Sequence, residues 1–178
     1  MAPLWVGTSW KMNKTLDEAR GYARELGHSE RREHFGETDA TVALKVRAAL
    51  DAGLVPLVCV GEPAAVRDGG DAVDHVVGHV RAGPARVAAD EVGSVVVAYE
   101  PVWAIGEHGR PATVEETGPA MAAVAAALGD LSGGTGPRAL LYGGSVHPGN
   151  AAELLADPHA DGCSPDGRRG RRPGCSPW

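Results

Sequence analysis

Cysteine is scarce: Cys59, Cys163 and Cys175 are the whole supply in 178 residues. They offer neither an even-numbered framework nor a metal-ligand spacing, which excludes a disulfide scaffold and fits a reducing, cytoplasmic compartment. No apolar run approaches the roughly 20 residues that span a bilayer, so no membrane partner is expected. The opening Met1-Ala-Pro-Leu-Trp-Val-Gly7 lacks the charged and apolar regions of a secretory leader. Positive charge is also short, with 17 Lys and Arg against 23 Asp and Glu and a net charge of −6. No basic face recurs along the body of the chain, so nucleic acid is not an expected partner. What remains is 43% hydrophobic and 22% charged. That is the ordinary balance of a globular protein, and the length suggests one domain.

The most informative stretch is Ser94-Val-Val-Val-Ala-Tyr-Glu100-Pro-Val-Trp-Ala-Ile-Gly106. An unbroken β-branched run reads as a strand buried on both faces, the habit of parallel sheets covered by helices. Pro101 ends that strand, which leaves Glu100 at the rim of the sheet, where α/β folds keep their ligands. The apolar segment that follows, ending on Gly106, can close over the carboxylate, exclude water and make it more basic. A solvated glutamate after a strand is the plain alternative, and the surroundings decide between the two.

Leu4-Trp-Val-Gly7 predicts a first strand with Lys11 just past its end. Thr15 and Glu18 form a capping box for a helix from about Leu16 to Leu26. The segment from Gly27 to Asp39 packs six charged residues and two histidines into thirteen positions. There His28 precedes Ser29, a plausible N-cap of a short helical turn. Asp39 caps a second helix through about Ala52, and Leu54 to Val60 predicts another buried strand ending at Gly61-Glu62. A broken helix is expected from Asp71 to Glu91, and a further helix from Thr113 to Leu128. A strand follows at Ala139 to Tyr142, and a short helix from about Asn150 to Ala156. Strands alternating with helices mean a parallel sheet. From Cys163 to Trp178 the chain has no periodicity and almost no aliphatic residues. The domain therefore runs from residue 1 to 162, and 163–178 is expected to be a disordered Arg/Gly/Pro-rich tail.

At this point the residues resemble those of triosephosphate isomerase, a (β/α)8 barrel. The matching pieces are Trp10-Lys-Met-Asn13, Gly27-His-Ser-Glu-Arg-Arg32, Phe35-Gly-Glu-Thr38, Ala98-Tyr-Glu-Pro-Val-Trp-Ala-Ile-Gly106 and Leu141-Tyr-Gly-Gly-Ser-Val146. All five stand in the family's order. Thr8-Ser9 before Trp10, with Glu107-His-Gly109, is similar to the subgroup acting on four-carbon ketose phosphates such as erythrulose phosphate. The resemblance implies an aldose–ketose isomerase that interconverts dihydroxyacetone phosphate and glyceraldehyde 3-phosphate through an enediolate, or a tetrulose counterpart. It implies that Glu100 is the base and that neutral His28 serves the carbonyl oxygens. Lys11 is then the stabilising cation, with Ser9 on the substrate's carbonyl side. Gly106 and Ser145 supply backbone N–H groups for the phosphate, Glu30 supports His28, and Cys59 packs at its strand end. No metal and no redox cofactor enters such chemistry.

Two departures stand against the family pattern. Sixteen residues separate Lys11 from His28, room for one helix. The second, third and most of the fourth strand of a barrel that typically has about 250 residues are therefore expected to be missing, about three in all. With them goes the loop through which the family forms its homodimer. After Asp161-Gly162 the polar tail replaces the last strand–helix unit. The expected fold is an incomplete barrel with raw strand edges. Its activity is expected to be low or absent, and a catalytically inactive barrel fragment is the alternative to an isomerase.

Overall fold

The computed structural model describes residues 5–6, 25–105 and 109–164. Among the described residues six strands lie in one sheet, in the order β1-β6-β5-β4-β3-β2, and every pairing is parallel. They are β1 (Trp5–Val6), β2 (Glu25–Leu26), β3 (Leu57–Val60), β4 (Val96–Tyr99), β5 (Ala139–Tyr142) and β6 (Gly162–Cys163). The first strand lies beside the last, as it does where a sheet of βα units curls round on itself. The helices between strands are α1 (Ser29–Phe35), α2 (Asp39–Asp51), α3 (Ala64–Asp68), α4 (Ala72–Ala82), α5 (Val114–Leu131) and α6 (Ala151–Leu154). No described helix is long and apolar enough to cross a membrane.

Period-two alternation divides the strands between two cores. Leu57, Cys59, Val96, Ala98, Ala139 and Leu141 fill one face of the sheet. Val58, Val60, Val97, Tyr99, Leu140 and Tyr142 fill the other. That second core is closed by Val42 and Val46 of α2, Val76 and Val80 of α4, and Met121, Val124 and Leu128 of α5. All four residues of β3, of β4 and of β5 are buried, which is why these runs carry no polar alternation.

Several expectations are corrected. Glu25 and Leu26, placed by their spacing at the end of a helix from Leu16, form β2 instead, opposite Leu57 and Val58. Residues 16–24 lie outside the described residues. Leu26 is buried in the helix-side core, and that tertiary pairing outweighs local periodicity. The turn after Gly27 starts at Ser29 with His28 itself as the N-cap. Thr38, not Asp39, caps α2, through reciprocal bonds with Thr41. The stretch from Asp71 to Glu91 holds α4 and part of a 3-10 turn over Ala89–Ser94, and α3 precedes it unforeseen. The last strand expected to be absent is begun by Gly162 and Cys163, which pair with both β5 and β1. Ser164 is also buried, so the fold runs past 162; residues 165–178 lie outside the described residues.

Candidate active site

Glu100 follows β4 directly, and its N–H donates to the Val60 carbonyl at 2.7 Å, which extends the sheet by one rung. Pro101 then stops the ladder, and the Val102 N–H turns to the Glu62 carbonyl at 3.1 Å. The neighbouring strand ends make room with glycine. A Cβ on Gly61 would stand 1.8 Å from the Glu100 carbonyl oxygen, and one on Gly143 would stand 2.7 Å from Glu100 Cγ. Both glycines are required for the glutamate to lie where it does, and sequence reasoning gave neither a role. A glycine just past a buried strand was the signal available.

His28 reaches the same place from β2. Gly27 before it takes φ 79°, and a Cβ there would meet the Cys59 carbonyl at 3.0 Å. The Gly27 N–H donates to Glu37 Oε2 at 2.8 Å, and its carbonyl accepts from Arg32 Nε at 2.8 Å. Glu37 is itself buried and also receives Arg31 and Lys45. Burial alone pushes its carboxyl up. The Lys45 and Gly27 hydrogen bonds, with the Lys45 and Arg31 charges, outweigh that and hold it below the usual carboxylate range. Glu37 is therefore an ionised anchor for the turn that carries His28. It sat unnoticed in a charge-dense segment, since nothing in the sequence marks which of six charges is buried.

The two side chains converge. His28 Nε2 lies 3.7 Å from Glu100 Oε1, with each side chain 6% exposed. That spacing is long for a hydrogen bond and short enough for both groups to address one small molecule. The Glu30 N–H donates to His28 Nδ1 at 3.2 Å. With Nδ1 accepting, the neutral ring carries its proton on Nε2, the nitrogen nearer Glu100, and protonation at Nδ1 would forfeit the bond. A buried carboxylate and an imidazole N–H donor so arranged can move a proton from carbon and steady the oxygen that gains charge.

The other expected site residues divide. Glu30 is half-buried and supports His28 through its backbone N–H. Cys59 is buried in the smaller core, two residues before Gly61. Ser145 follows β5, held by Asn150, whose Nδ2 donates to its carbonyl at 2.9 Å. Its own N–H, expected to be available to phosphate, donates to the Ala104 carbonyl at 3.2 Å. Ser9, Lys11 and Gly106 lie outside the described residues. A crevice of about 520 Å³ is lined by Glu100 together with Ser29, Gly61, Val102, His75 and His79. Among the described residues no cluster of three or more His, Cys, Asp or Glu is placed to hold a metal ion.

Unforeseen, too, is the buried Glu62. Its Oε1 accepts from Trp103 Nε1 at 2.7 Å and from Tyr99 OH at 3.1 Å. With its carbonyl on Val102, Glu62 holds the chain just after Glu100 from two sides. Burial first, then the Glu62 charge and hydrogen bond, push the Tyr99 hydroxyl far above its ordinary range.

Comparison with known proteins points one way. The sequence model of the family described as triosephosphate isomerase matches residues 16–164. A protein named L-erythrulose-1-phosphate isomerase from Brucella abortus biovar 1 is 36% identical over 231 aligned positions, covering 91% of this chain and 90% of its own length. One of the same name from Mycolicibacterium smegmatis is 36% identical over 231 positions, covering 90% and 86%. With 231 aligned positions against 178 residues here, at least 53 positions of such a relative have no counterpart in this chain. The crystal structure of triosephosphate isomerase from Bartonella henselae superposes with a TM-score of 0.70 at 37% identity. It covers 82% of this chain, and the chain spans 58% of that structure's length.

Proposed function

The chain belongs to the triosephosphate isomerase family, and on that premise we propose that it isomerises a short ketose phosphate through an enediolate, with a four-carbon erythrulose phosphate as its substrate. The observation that carries this reading is the buried His28 Nε2 at 3.7 Å from Glu100 Oε1, its other nitrogen tied to the Glu30 N–H. Glu100 takes the proton from the carbon next to the carbonyl. The C–H electron pair becomes the new C=C bond, and the carbonyl pair moves onto oxygen. His28 donates from Nε2 to that oxygen and takes a proton back from its neighbour, while Glu100 returns its proton to the adjacent carbon. No electrons leave the substrate, so the step balances without an oxidant. Lys11 supplies the cation beside the enediolate, and Ser145 and Gly106 receive the phosphate. The four-carbon choice is supported by the names of the relatives and by Thr8-Ser9 and Glu107-His-Gly109.

A second reading, the interconversion of dihydroxyacetone phosphate and glyceraldehyde 3-phosphate, is favoured by the name of the Bartonella structure. The shortage of strands belongs to the same proposal. On this reading the positions without counterpart belong between Lys11 and His28, and an incomplete barrel carries the site. Purified full-length chain, assayed on L-erythrulose 1-phosphate and on dihydroxyacetone phosphate, tests all of this. Turnover of the four-carbon substrate that falls by about 10²–10⁴ in Glu100→Gln is expected. Turnover of the triose alone establishes the second reading. No turnover of either above the Glu100→Gln background establishes a catalytically inactive barrel fragment.

A further inference from the structure

His75 and His79 of α4 have no part in the chemistry proposed above. They stand one turn apart, so their side chains leave the same face of the helix. Their ring centres are 4.5 Å apart at an interplanar angle of 63°, and both rings line the crevice that Glu100 also lines. The His79 side chain is 13% exposed, and its Nδ1 is buried with no hydrogen-bond partner. Its Nε2 stands 4.0 Å from Asp39 Oδ1, beyond hydrogen-bond reach. That oxygen is taken by Arg32 Nη1 at 2.7 Å. The Arg32 charge is thereby offset, and the other charged groups described along the crevice, Glu33 and Glu100, are carboxylates. Such surroundings favour a cation over an anion.

The helix that carries the pair is weakly supported. Asp71 caps α4 without a side-chain hydrogen bond, and Gly78 stands inside the helix between the two histidines. A Cβ on Gly78 would meet nothing within 4 Å, so packing does not demand glycine there. An interior glycine weakens a helix through its extra freedom when unfolded. We infer that His75 and His79 chelate a divalent transition-metal ion across one turn of α4, with water on its remaining positions, and that the ion staples the helix about Gly78. Imidazole nitrogen suits Zn²⁺, Ni²⁺ and Cu²⁺, whereas Mg²⁺ and Ca²⁺ prefer oxygen. Two nitrogens, each about 2.0–2.1 Å from a tetrahedral Zn²⁺, stand roughly 3.3 Å apart, which rotation of two neighbouring rings can supply. Neither nitrogen of His79 gives up a hydrogen bond when it ligates. Two side chains are fewer than a structural or catalytic zinc site provides, so the ion is exchangeable.

The test uses the full chain, freed of metal with EDTA and titrated with Zn²⁺, with Mg²⁺ as the comparison. Ring signals of the two histidines are followed by NMR and assigned by their loss in His75→Gln and His79→Gln. Both are expected to move on one saturation curve with Zn²⁺ and to ignore Mg²⁺. The thermal midpoint is expected to rise by about 5–10 °C at 100 times the dissociation constant, and amide exchange within α4 to slow. His75→Gln, at a half-buried position that tolerates the change, is expected to weaken Zn²⁺ binding about tenfold or more, because the second ligand no longer adds its effective concentration. Gly78→Ala is expected to slow α4 exchange without metal and to leave less for Zn²⁺ to add. Zn²⁺ that shifts neither ring, or shifts them on separate curves, overturns the chelation, as does unchanged affinity in His75→Gln. Chelation that leaves α4 exchange unchanged overturns the staple. None of these readouts needs turnover, so they stand whether or not the chain isomerises a sugar phosphate.

Discussion

The centre and the margins of the sheet hold the two candidate site residues, Glu100 and His28, by different means. β3, β4 and β5 pair in register over four residues each, with both faces buried. β1, β2 and β6 bring two residues each. Glu100 stands on the first kind of support: the ladder carries its N–H, and glycines on both sides leave it one position. His28 stands on the second kind. Two residues of β2 set its height, and its turn is then fastened by side chains, with Glu37 at the centre. The proposed proton transfer needs both residues in place. The contrast teaches that one half of the site is secured by nonpolar packing and the other by a buried ion.

The severest way to break the comparison is Gly61→Ala. Its Cβ would meet the Glu100 carbonyl at 1.8 Å, a clash with backbone that no rotamer relieves. A loss above about 3 kcal/mol is expected, seen as failure to yield folded protein or as a collapsed thermal midpoint. Next come paired truncations of one chemistry. Leu140→Ala, in the centre, is expected to cost about 3–5 kcal/mol, and Leu26→Ala about 2 kcal/mol, because a two-residue strand relaxes around the gap. Equal costs by urea denaturation would remove the distinction. Glu37→Ala orphans the buried Gly27 N–H and is expected to cost about 1–3 kcal/mol. Glu37→Gln, which still offers an acceptor, is expected to recover part of that. Its effect on the proposed turnover should exceed its effect on stability, since it moves His28.

The smallest effect is set by pH. Burial first, and then the Arg32 charge, lower His79 from 6.5 to about 4, against a weaker opposing pull from Asp39. The folded chain therefore resists protonating a group that the unfolded chain protonates readily. The resulting stability is complete above pH 6.5 and is lost as pH falls toward 4. Between pH 7 and 5 a loss of about 1–2 kcal/mol is expected, flattened in His79→Leu. His79 packs beside Arg32 and Asp39, on the β2 side of the molecule, so acid should loosen the margin first. Amide exchange in α1 that outruns exchange in β4 at pH 5 would sharpen the comparison.

The same contrast decides what was legible in the sequence. β3, β4 and β5 are unbroken apolar runs, and a run of that kind has few other uses, so the alternation with helices and the parallel sheet followed. β2 and β6 are two residues each. Glu25-Leu26 fitted a helical spacing, and Gly162-Cys163 carried no strand signal, so only their partners in space define them. Glu100 could be singled out because a proline and an apolar loop follow it. His28 was singled out through the resemblance, since a histidine among six charges has no local mark. Glu37, Glu62 and Gly143 escaped because their importance lies in what surrounds them: a turn to anchor, an indole to hold, a glutamate to admit.

One measurement bears most directly on the proposal that residues 28 and 100 act at a single carbon. The full chain is incubated with L-erythrulose 1-phosphate in D₂O, and the proton next to the carbonyl is followed by NMR. The account predicts loss of that signal well above the buffer rate, abolished in Glu100→Gln and slowed in His28→Gln. No exchange beyond buffer, or exchange indifferent to Glu100, would contradict it.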